Sequence, residues 1–514
     1  MRGKFMSTAA ILLLAWNSGS FAVTTELRAP APKSGVETGT SLPLPSVAVR
    51  SELTQQLMEV AMAGIHPAFA KSWLQLTKQP ELAKNPETYY QIYSLLHQFR
   101  HQWHELDGDS RERFHFKNFN PVLSAADRNE YIALLQRPDV DRVMNKLRPQ
   151  TENYLSSRRV LLSLLDESRK APWPNLPDLK VKPGESNDAL PLIRDVLLRS
   201  GDLPNGQLTA EQLKLATYDD LTVQAMQRFQ QRHGLDGDGV IGRRTLTWLR
   251  LPPKVRAVIL ARSILRSDLP QQISSQRHVL VNIPEYRLRV LDGQQEIFSS
   301  RVIVGQVKRQ TPILSSEISS IVVNPAWHVP ARILQQDLVP KLVKDKHFLD
   351  KGQFEVVDSQ GMKVDPTAMV WDGTEENFPY RLRQKPGDHN ALGRYKFYLP
   401  NNDAIYLHST SSPGYFKRDL RALSSGCVRV EEADNFAKLL LKGSKWNVDK
   451  LDQMLKEDTT KWLAMTDPVP VYTVYWRSWV DKQGQLQFRD DIYQFDDDAK
   501  MANSAVIDSL VDHT

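Results

Sequence analysis

Cys427 is the only cysteine in 514 residues. It stands in the run Ser424-Ser425-Gly426-Cys427-Val428-Arg429, with His408 19 residues upstream. A lone cysteine closes no disulfide within its chain, so it is either a buried bystander or a reactive thiol. The small residues ahead of it favour the thiol. A glycine just before a nucleophile permits a tight turn and lets backbone N–H groups face a reacting oxygen. A thiol attacks as its thiolate, and a neighbouring imidazole brings its ordinary pKa of about 8.5 into the working range. His408 closes the apolar run Ala404-Ile405-Tyr406-Leu407, a strand that would hold it rigidly. Ser409 follows and is placed to orient the imidazole through its hydroxyl or its carbonyl. The N–H groups of Gly426 and Cys427 are the candidate oxyanion donors, with Ser425 in the same turn. Arg429 suits either a substrate carboxylate or an ion pair with a carboxylate of a covering segment.

These residues need a scaffold, and the hydropathy pattern supplies one. After residue 275 the period changes from helical to strand-like. His278–Ile283, Leu288 with Val290, Ile297–Val304, Ile318–Val323 and Ala404–Leu407 predict a mainly β catalytic domain over 276–445. An insertion over about 330–393 interrupts it. That segment opens with a lysine-containing helical run (Ile333–Lys346) and continues into a hairpin with its turn at Gln360-Gly361, the pattern of a lid or specificity element. A helix and strands over 446–500, including Val471–Trp476 and a return strand after Gly484, complete the body.

Upstream, residues 47–182 read as a helical scaffold. Asn85-Pro86 is a helix start, and Tyr89, Ile92, Leu96, Phe99 and Trp103 form one apolar face. A second amphipathic run covers Asp141–Leu165. His97, His101 and His104 read as a polar helix face rather than a metal site, since no further ligand accompanies them. Prolines 172, 174, 177 and 183 mark a boundary. Residues 185–252 then form a compact unit with three helical patterns. Asp236-Gly237-Asp238-Gly239 within it reads as a turn, because Thr247 occupies the position where a calcium loop needs glutamate. The fold class is α+β multidomain. Arg2, Lys4, the apolar core Ala9–Trp16 and the small residues around Ala22 predict a cleavable export signal over 1–22, followed by a proline-rich linker over 23–46. The net charge of +6 favours an anionic partner. For an exported protein that means wall polymer or a membrane surface rather than nucleic acid.

Two resemblances sharpen this reading. Ala225–Leu235, Asp238–Gly242 and Thr245-Leu246 resemble peptidoglycan-binding domains, which implies a three-helix module for wall stem peptides or glycan. His408, a spacer of fifteen and Ser424–Arg429 resemble the signature of the YkuD-type L,D-transpeptidases. The usual histidine before the glycine is Ser425 here. The larger periplasmic YcbB-like murein transpeptidases are more similar, with Ser-Ser-Gly-Cys and stretches like Asn324–Pro330, Pro386-Gly387, Asn390–Phe397 and Arg421–Leu423. That resemblance implies a periplasmic enzyme using a cysteine thioester, with no metal or organic cofactor. Its implied partners are stem peptides and glycan, carbapenem inhibitors and other wall-synthesis enzymes. It adds Tyr406 and Trp327 to the substrate-binding candidates. Transfer to water, which makes a carboxypeptidase or endopeptidase, transfer to a lipoprotein lysine, and a non-catalytic wall-binding scaffold are the alternatives.

Overall fold

The computed structural model describes residues 42–513, apart from 115, 117, 118, 120–124, 141–143, 150, 152, 270–274, 346, 372–377, 443, 447 and 458. The expected export signal and most of the linker lie outside the described residues.

Helices Val47–Ala63, Pro67–Lys78, Pro86–Glu105, Tyr154–Lys170 and Pro253–Arg266 build the helical body. Asn85 caps the third by accepting the Glu87 N–H, and Pro86 takes the first helical position, where no N–H is needed. The expected run Asp141–Leu165 is not one helix in its described part. A short 3₁₀ turn ends at Leu147, Arg148 is extended ahead of Pro149, and the helix starts at Tyr154. A residue before proline is pushed out of helical conformation. Three helices, Leu190–Arg199, Asp220–Arg232 and Arg243–Leu249, form the next unit. Asp238 Oδ1 accepts the Val240 N–H and a Gln230 amide hydrogen, so that carboxylate serves its own turn.

The strands are β1 (His278–Asn282), β2 (Arg287–Asp292), β3 (Gln295–Gly305), β4 (Ser315–Val323), β5 (Trp327–His328), β6 (Phe354–Val357), β7 (Lys363–Val364) and β8 (Arg381–Gln384). They continue as β9 (Tyr395–Tyr398), β10 (Leu407–His408), β11 (Ala422–Ser424), β12 (Val428–Val430), β13 (Lys461–Val474), β14 (Ser478–Val480) and β15 (Leu486–Phe488). Nine of them form one sheet in the order β11-β3-β12-β10-β9-β4-β13-β1-β2, and β2 also pairs with β3. That last pairing closes the run into a ring, which leaves few free edges. One face is apolar: Val302, Val304, Ile321, Val323, Phe397, Leu407, Val428 and Val430 pack with Phe436, Ala437 and Leu440 of helix Ala433–Leu441. The other face carries the candidate site.

β10 is shorter than the expected strand Ala404–Leu407. Ala404 has φ 54°, and the Asn401 side chain bonds both the N–H and the carbonyl of Ile405. These bonds hold a turn where the apolar pattern alone predicts a strand. The insertion forms its own lobe, a four-stranded sheet in the order β5-β8-β6-β7. It is backed by Leu334, Leu338, Val339, Leu342 and Leu349.

A buried ionic cluster joins the helical body to the segment after β15. Arg266 pairs with Asp496 through two hydrogen bonds of 2.6 and 2.8 Å, and Arg477 reaches the same carboxylate at 3.2 Å. Arg262 binds Asp498 at 3.1 Å. Burial pushes the Asp496 carboxyl up, but Arg266, Arg477 and Arg262 pull it further down, so it ends well below the usual carboxylate range. A folded-state pKa below the unfolded one stabilises above the unfolded value and is lost as pH falls through the folded one. Asp496→Ala removes the carboxylate that Arg266 and Arg477 share, leaving Glu112 at 3.3 Å from Arg266 and Asp498 beside Arg477 and Arg262, and is expected to cost about 3 kcal/mol, the low end for breaking a buried pair. Urea unfolding at pH 7 measures this, and a loss under about 1 kcal/mol, the range for an exposed pair, would refute it.

Candidate active site

β10 runs parallel to β12 with Leu407 opposite Val428 and His408 opposite Arg429. It runs antiparallel to β9 with His408 opposite Lys396. Side chains alternate across a sheet, so Lys396, His408 and Arg429 form one row on the polar face. Continuing the register places Tyr406 beside Cys427 on that same face. Paired strands thus bring together residues that are 19 apart in sequence.

The turn holding Cys427 is stapled from within. Ser424 Oγ donates to the Cys427 carbonyl at 2.6 Å and accepts the Gly426 N–H at 3.2 Å. The Gly426 N–H is therefore occupied inside the turn, which leaves one of the two candidate oxyanion donors. The Cys427 N–H is bonded to no described residue and remains the candidate donor. Gly426 has φ +115°, a conformation that disfavours any side chain. Its carbonyl accepts the Thr311 hydroxyl at 2.7 Å, and Thr311 Oγ1 in turn accepts the Gly305 N–H at 2.8 Å. Tyr493 completes this support: its hydroxyl donates to the Gly305 carbonyl at 2.7 Å and accepts the Thr311 N–H at 3.1 Å. Neither Thr311 nor Tyr493 is distinguishable in the sequence, because nothing local ties them to the cysteine.

His408 is 5% exposed. Burial and then the Arg429 guanidinium push its pKa down to about 3, against the carbonyls of Ser409 and Leu392; Lys396 adds to the depression. The carbonyls face the ring, yet Nδ1 makes no hydrogen bond of ordinary geometry. The Ser409 hydroxyl does not touch the imidazole. It donates to the Leu392 carbonyl at 2.9 Å and accepts the Tyr395 N–H at 3.0 Å, which fixes the chain that follows the histidine. Burial also pushes the Cys427 thiol up, while the Tyr406 N–H and hydroxyl, Lys396 and Arg429 pull it back part of the way. Both shifts favour a thiol beside a neutral imidazole at rest.

That state has a pH signature. The rate of Cys427 alkylation by iodoacetamide is expected to rise with pH to a midpoint above the ordinary thiol value. No plateau is expected between about pH 4 and 7, where a thiolate–imidazolium pair would give one. Mass spectrometry of the alkylated protein reads the rate, and such a plateau would overturn the assignment of the resting state.

Tyr406 joins the site to the insertion. Its hydroxyl faces Cys427 and the Trp327 indole, and its ring lies 5.6 Å from that of His408. Trp327, in β5, packs on Phe354 of the insertion. Ser425 accepts a hydrogen bond of 2.8 Å from Arg309, and the same guanidinium binds Asp337 at 2.8 Å and Gln336 at 2.9 Å. Asp337 and Gln336 belong to the π-helical turn Leu334–Leu338 of the insertion. Arg309 therefore bridges the insertion to the catalytic turn, by an ion pair to Asp337 on one side and a hydrogen bond to Ser425 on the other. No carboxylate among the described residues pairs with Arg429, whose Nε is buried without a partner. No group of three or more His, Cys, Asp or Glu among the described residues is placed to hold a metal ion. No described helix is long and apolar enough to cross a membrane.

Comparison with known proteins fits this geometry. Residues 276–448 match the YkuD family, described as "L,D-transpeptidase catalytic domain". These residues form a YkuD domain. The YkuD domain holds every one of the site residues named from the sequence. Residues 193–249 match the family described as "Putative peptidoglycan binding domain". A Haemophilus influenzae protein named "Putative L,D-transpeptidase" is 41% identical over 224 residues, 44% of this chain and 45% of that protein. The chain thus matches less than half the length of that relative. Among solved structures, an L,D-transpeptidase from Xylanimonas cellulosilytica is 13% identical with a TM-score of 0.19, covering 58% of this chain and 99% of that one. An L,D-transpeptidase from Stackebrandtia nassauensis is 16% identical with a TM-score of 0.22, covering 59% and 98%. Scores this low establish no structural correspondence.

Proposed function

We propose that this chain is a peptidoglycan L,D-transpeptidase with Cys427 as nucleophile. The observation that carries the reading is His408 standing in β10 across from Arg429 of β12, with Cys427 in the turn that leads into β12, within a YkuD domain. Cys427 Sγ attacks the carbonyl at the L-centre of diaminopimelate in a tetrapeptide donor, and His408 takes the thiol proton. The oxyanion is met by the Cys427 N–H. Collapse breaks the amide, His408 returns the proton to the departing D-alanine amine, and a thioester remains. The side-chain amine of a second stem attacks this thioester. The new amide links two diaminopimelates and frees the thiol.

Arg429 holds a donor carboxylate in this scheme, and Tyr406 and Trp327 line the approach. The domain at 193–249 retains the enzyme on the wall. Substrate chemistry puts the protein in the periplasm, in keeping with the export signal read over 1–22. Carbapenems acylate the same thiol. The test is product mass after incubation with purified disaccharide-tetrapeptide. A crosslinked dimer with free D-alanine supports the reading. Tripeptide with D-alanine but no dimer replaces it with carboxypeptidase activity, and no turnover with no adduct on Cys427 overturns it.

A further inference from the structure

Lys396 and Arg429 stand on either side of His408 in one row across three strands. Adjacent strands are about 4.8 Å apart, so the two cations straddle the imidazole at backbone positions about 10 Å from each other. Neither pairs with a carboxylate among the described residues. Three deep arginines elsewhere are matched by carboxylates, Arg194 to Asp219, Arg289 to Glu285 and Arg266 to Asp496, while Arg256 is served by the Leu251 and Trp248 carbonyls. Lys396 is half-buried, and its ammonium lies 4.1 Å from the centroid of the Tyr406 ring. The Tyr406 hydroxyl faces Cys427, so this charge is held beside the nucleophile. Its neighbours in the strand, Tyr395 and Phe397, are buried on the opposite, apolar face.

A half-buried cation with no internal counter-charge is costly, and an incoming anion removes the cost. A cation–π contact holds the ammonium in place without neutralising it. Arg429 supplies one anchor for an anionic substrate, and the row supplies a second on the other side of the histidine. We propose that Lys396 is a specificity-determining residue that binds a second carboxylate of the donor stem peptide, distinct from the one taken by Arg429. This rests on the donor proposed above, whose stem carries three free carboxylates: on glutamate, on the diaminopimelate side chain and on the terminal D-alanine. Two fixed cations define the line along which the peptide lies, so its scissile carbonyl is presented to Cys427 in one orientation.

The experiment compares the disaccharide-tetrapeptide with three analogues, each having one of those carboxylates converted to a carboxamide. Wild-type kcat/KM is expected to fall about 10- to 100-fold for the analogue that lacks the partner of Lys396, the range for a charge-assisted hydrogen bond. Lys396→Met should lose a similar factor on the unmodified donor and no longer distinguish that analogue from it. Discrimination at the other two positions should persist. Lys396→Arg, which keeps the charge, should retain the wild-type preference. If Lys396→Met keeps all wild-type preferences, or loses rate equally on every donor, the inference is wrong. Binding of the same four peptides to Cys427→Ala, measured by calorimetry, reads the preference without chemistry. Selective binding without turnover in the wild type would sink the transpeptidase reading while leaving the carboxylate site standing. Unselective binding would sink the site.

Discussion

Cys427→Ala is expected to abolish crosslinked product, with a loss on the order of 10⁴-fold or more, as when the nucleophile of a catalytic set that acts as a unit is removed. No other cysteine exists in the chain to replace it. His408, pushed down to about 3 and 5% exposed, has in the proposed scheme the part of proton acceptor rather than nucleophile. The substitution removes one half-buried sulfur from a turn whose hydrogen bonds run through Ser424 Oγ, Thr311 Oγ1 and backbone groups, so the turn itself is expected to persist. Loss of activity with an unchanged thermal transition separates a chemical role from a structural one. Residual crosslinking above about 1% of wild type would remove Cys427 from the mechanism.

Gly393→Ala is expected to be nearly as damaging by a different route. Gly393 has φ +61°, and a methyl group there would sit 2.3 Å from Ser409 Oγ and 2.6 Å from the Thr410 nitrogen. Ser409 cannot swing aside cheaply, because its hydroxyl bonds the Leu392 carbonyl and the Tyr395 N–H. Left-handed strain of about 1–2 kcal/mol and overpacking of about 1–3 kcal/mol give an expected loss of about 2–5 kcal/mol. Whatever relief occurs moves Ser409 and with it the adjoining His408. A displacement near 1 Å at a catalytic group costs about 10²-fold in rate. Urea unfolding and kcat/KM check the two effects. Wild-type stability with wild-type rate would show that the close approach is not needed.

The sequence carried much of this architecture, for physical reasons that differ by element. The buried strand β1 announces itself through the apolar run Val279-Leu280-Val281, and β4 through Ile321-Val322-Val323 at its end. The helix at Pro86 announces itself through a cap and a proline at its first position. Cys427 and His408 were legible because their types restrict the chemistry and the small residues restrict the turn. Which of the Gly426 and Cys427 N–H groups is free was not legible, because the Ser424 side chain competes for the Gly426 N–H and spacing does not reveal which acceptor wins. Ser409 was legible as a neighbour of the histidine, but its partners come from the chain at 392–395. Lys396 was missed since its place beside His408 depends on strand register. Its available signal was a single cation alternating with buried aromatics, at Tyr395-Lys396-Phe397. Arg309, Thr311 and Tyr493 reach the catalytic turn from distant parts of the chain, and no local pattern marks them.

The hydroxyl of Tyr493 is bonded to Gly305 and Thr311, and Thr311 is bonded to the carbonyl of Gly426. This chain of contacts ties the turn at Cys427 to a residue that follows it by 66 positions in the sequence. A nascent chain that has emerged only as far as β12 already contains every residue proposed for the chemistry, yet the floor beneath its nucleophile is unfinished. The strand β13, wedged between β4 and β1, is also still to come. The floor of the turn is therefore complete only when the segment carrying Tyr493 is docked, so a chain cut after β12 is expected to keep the nucleophile and lose its support.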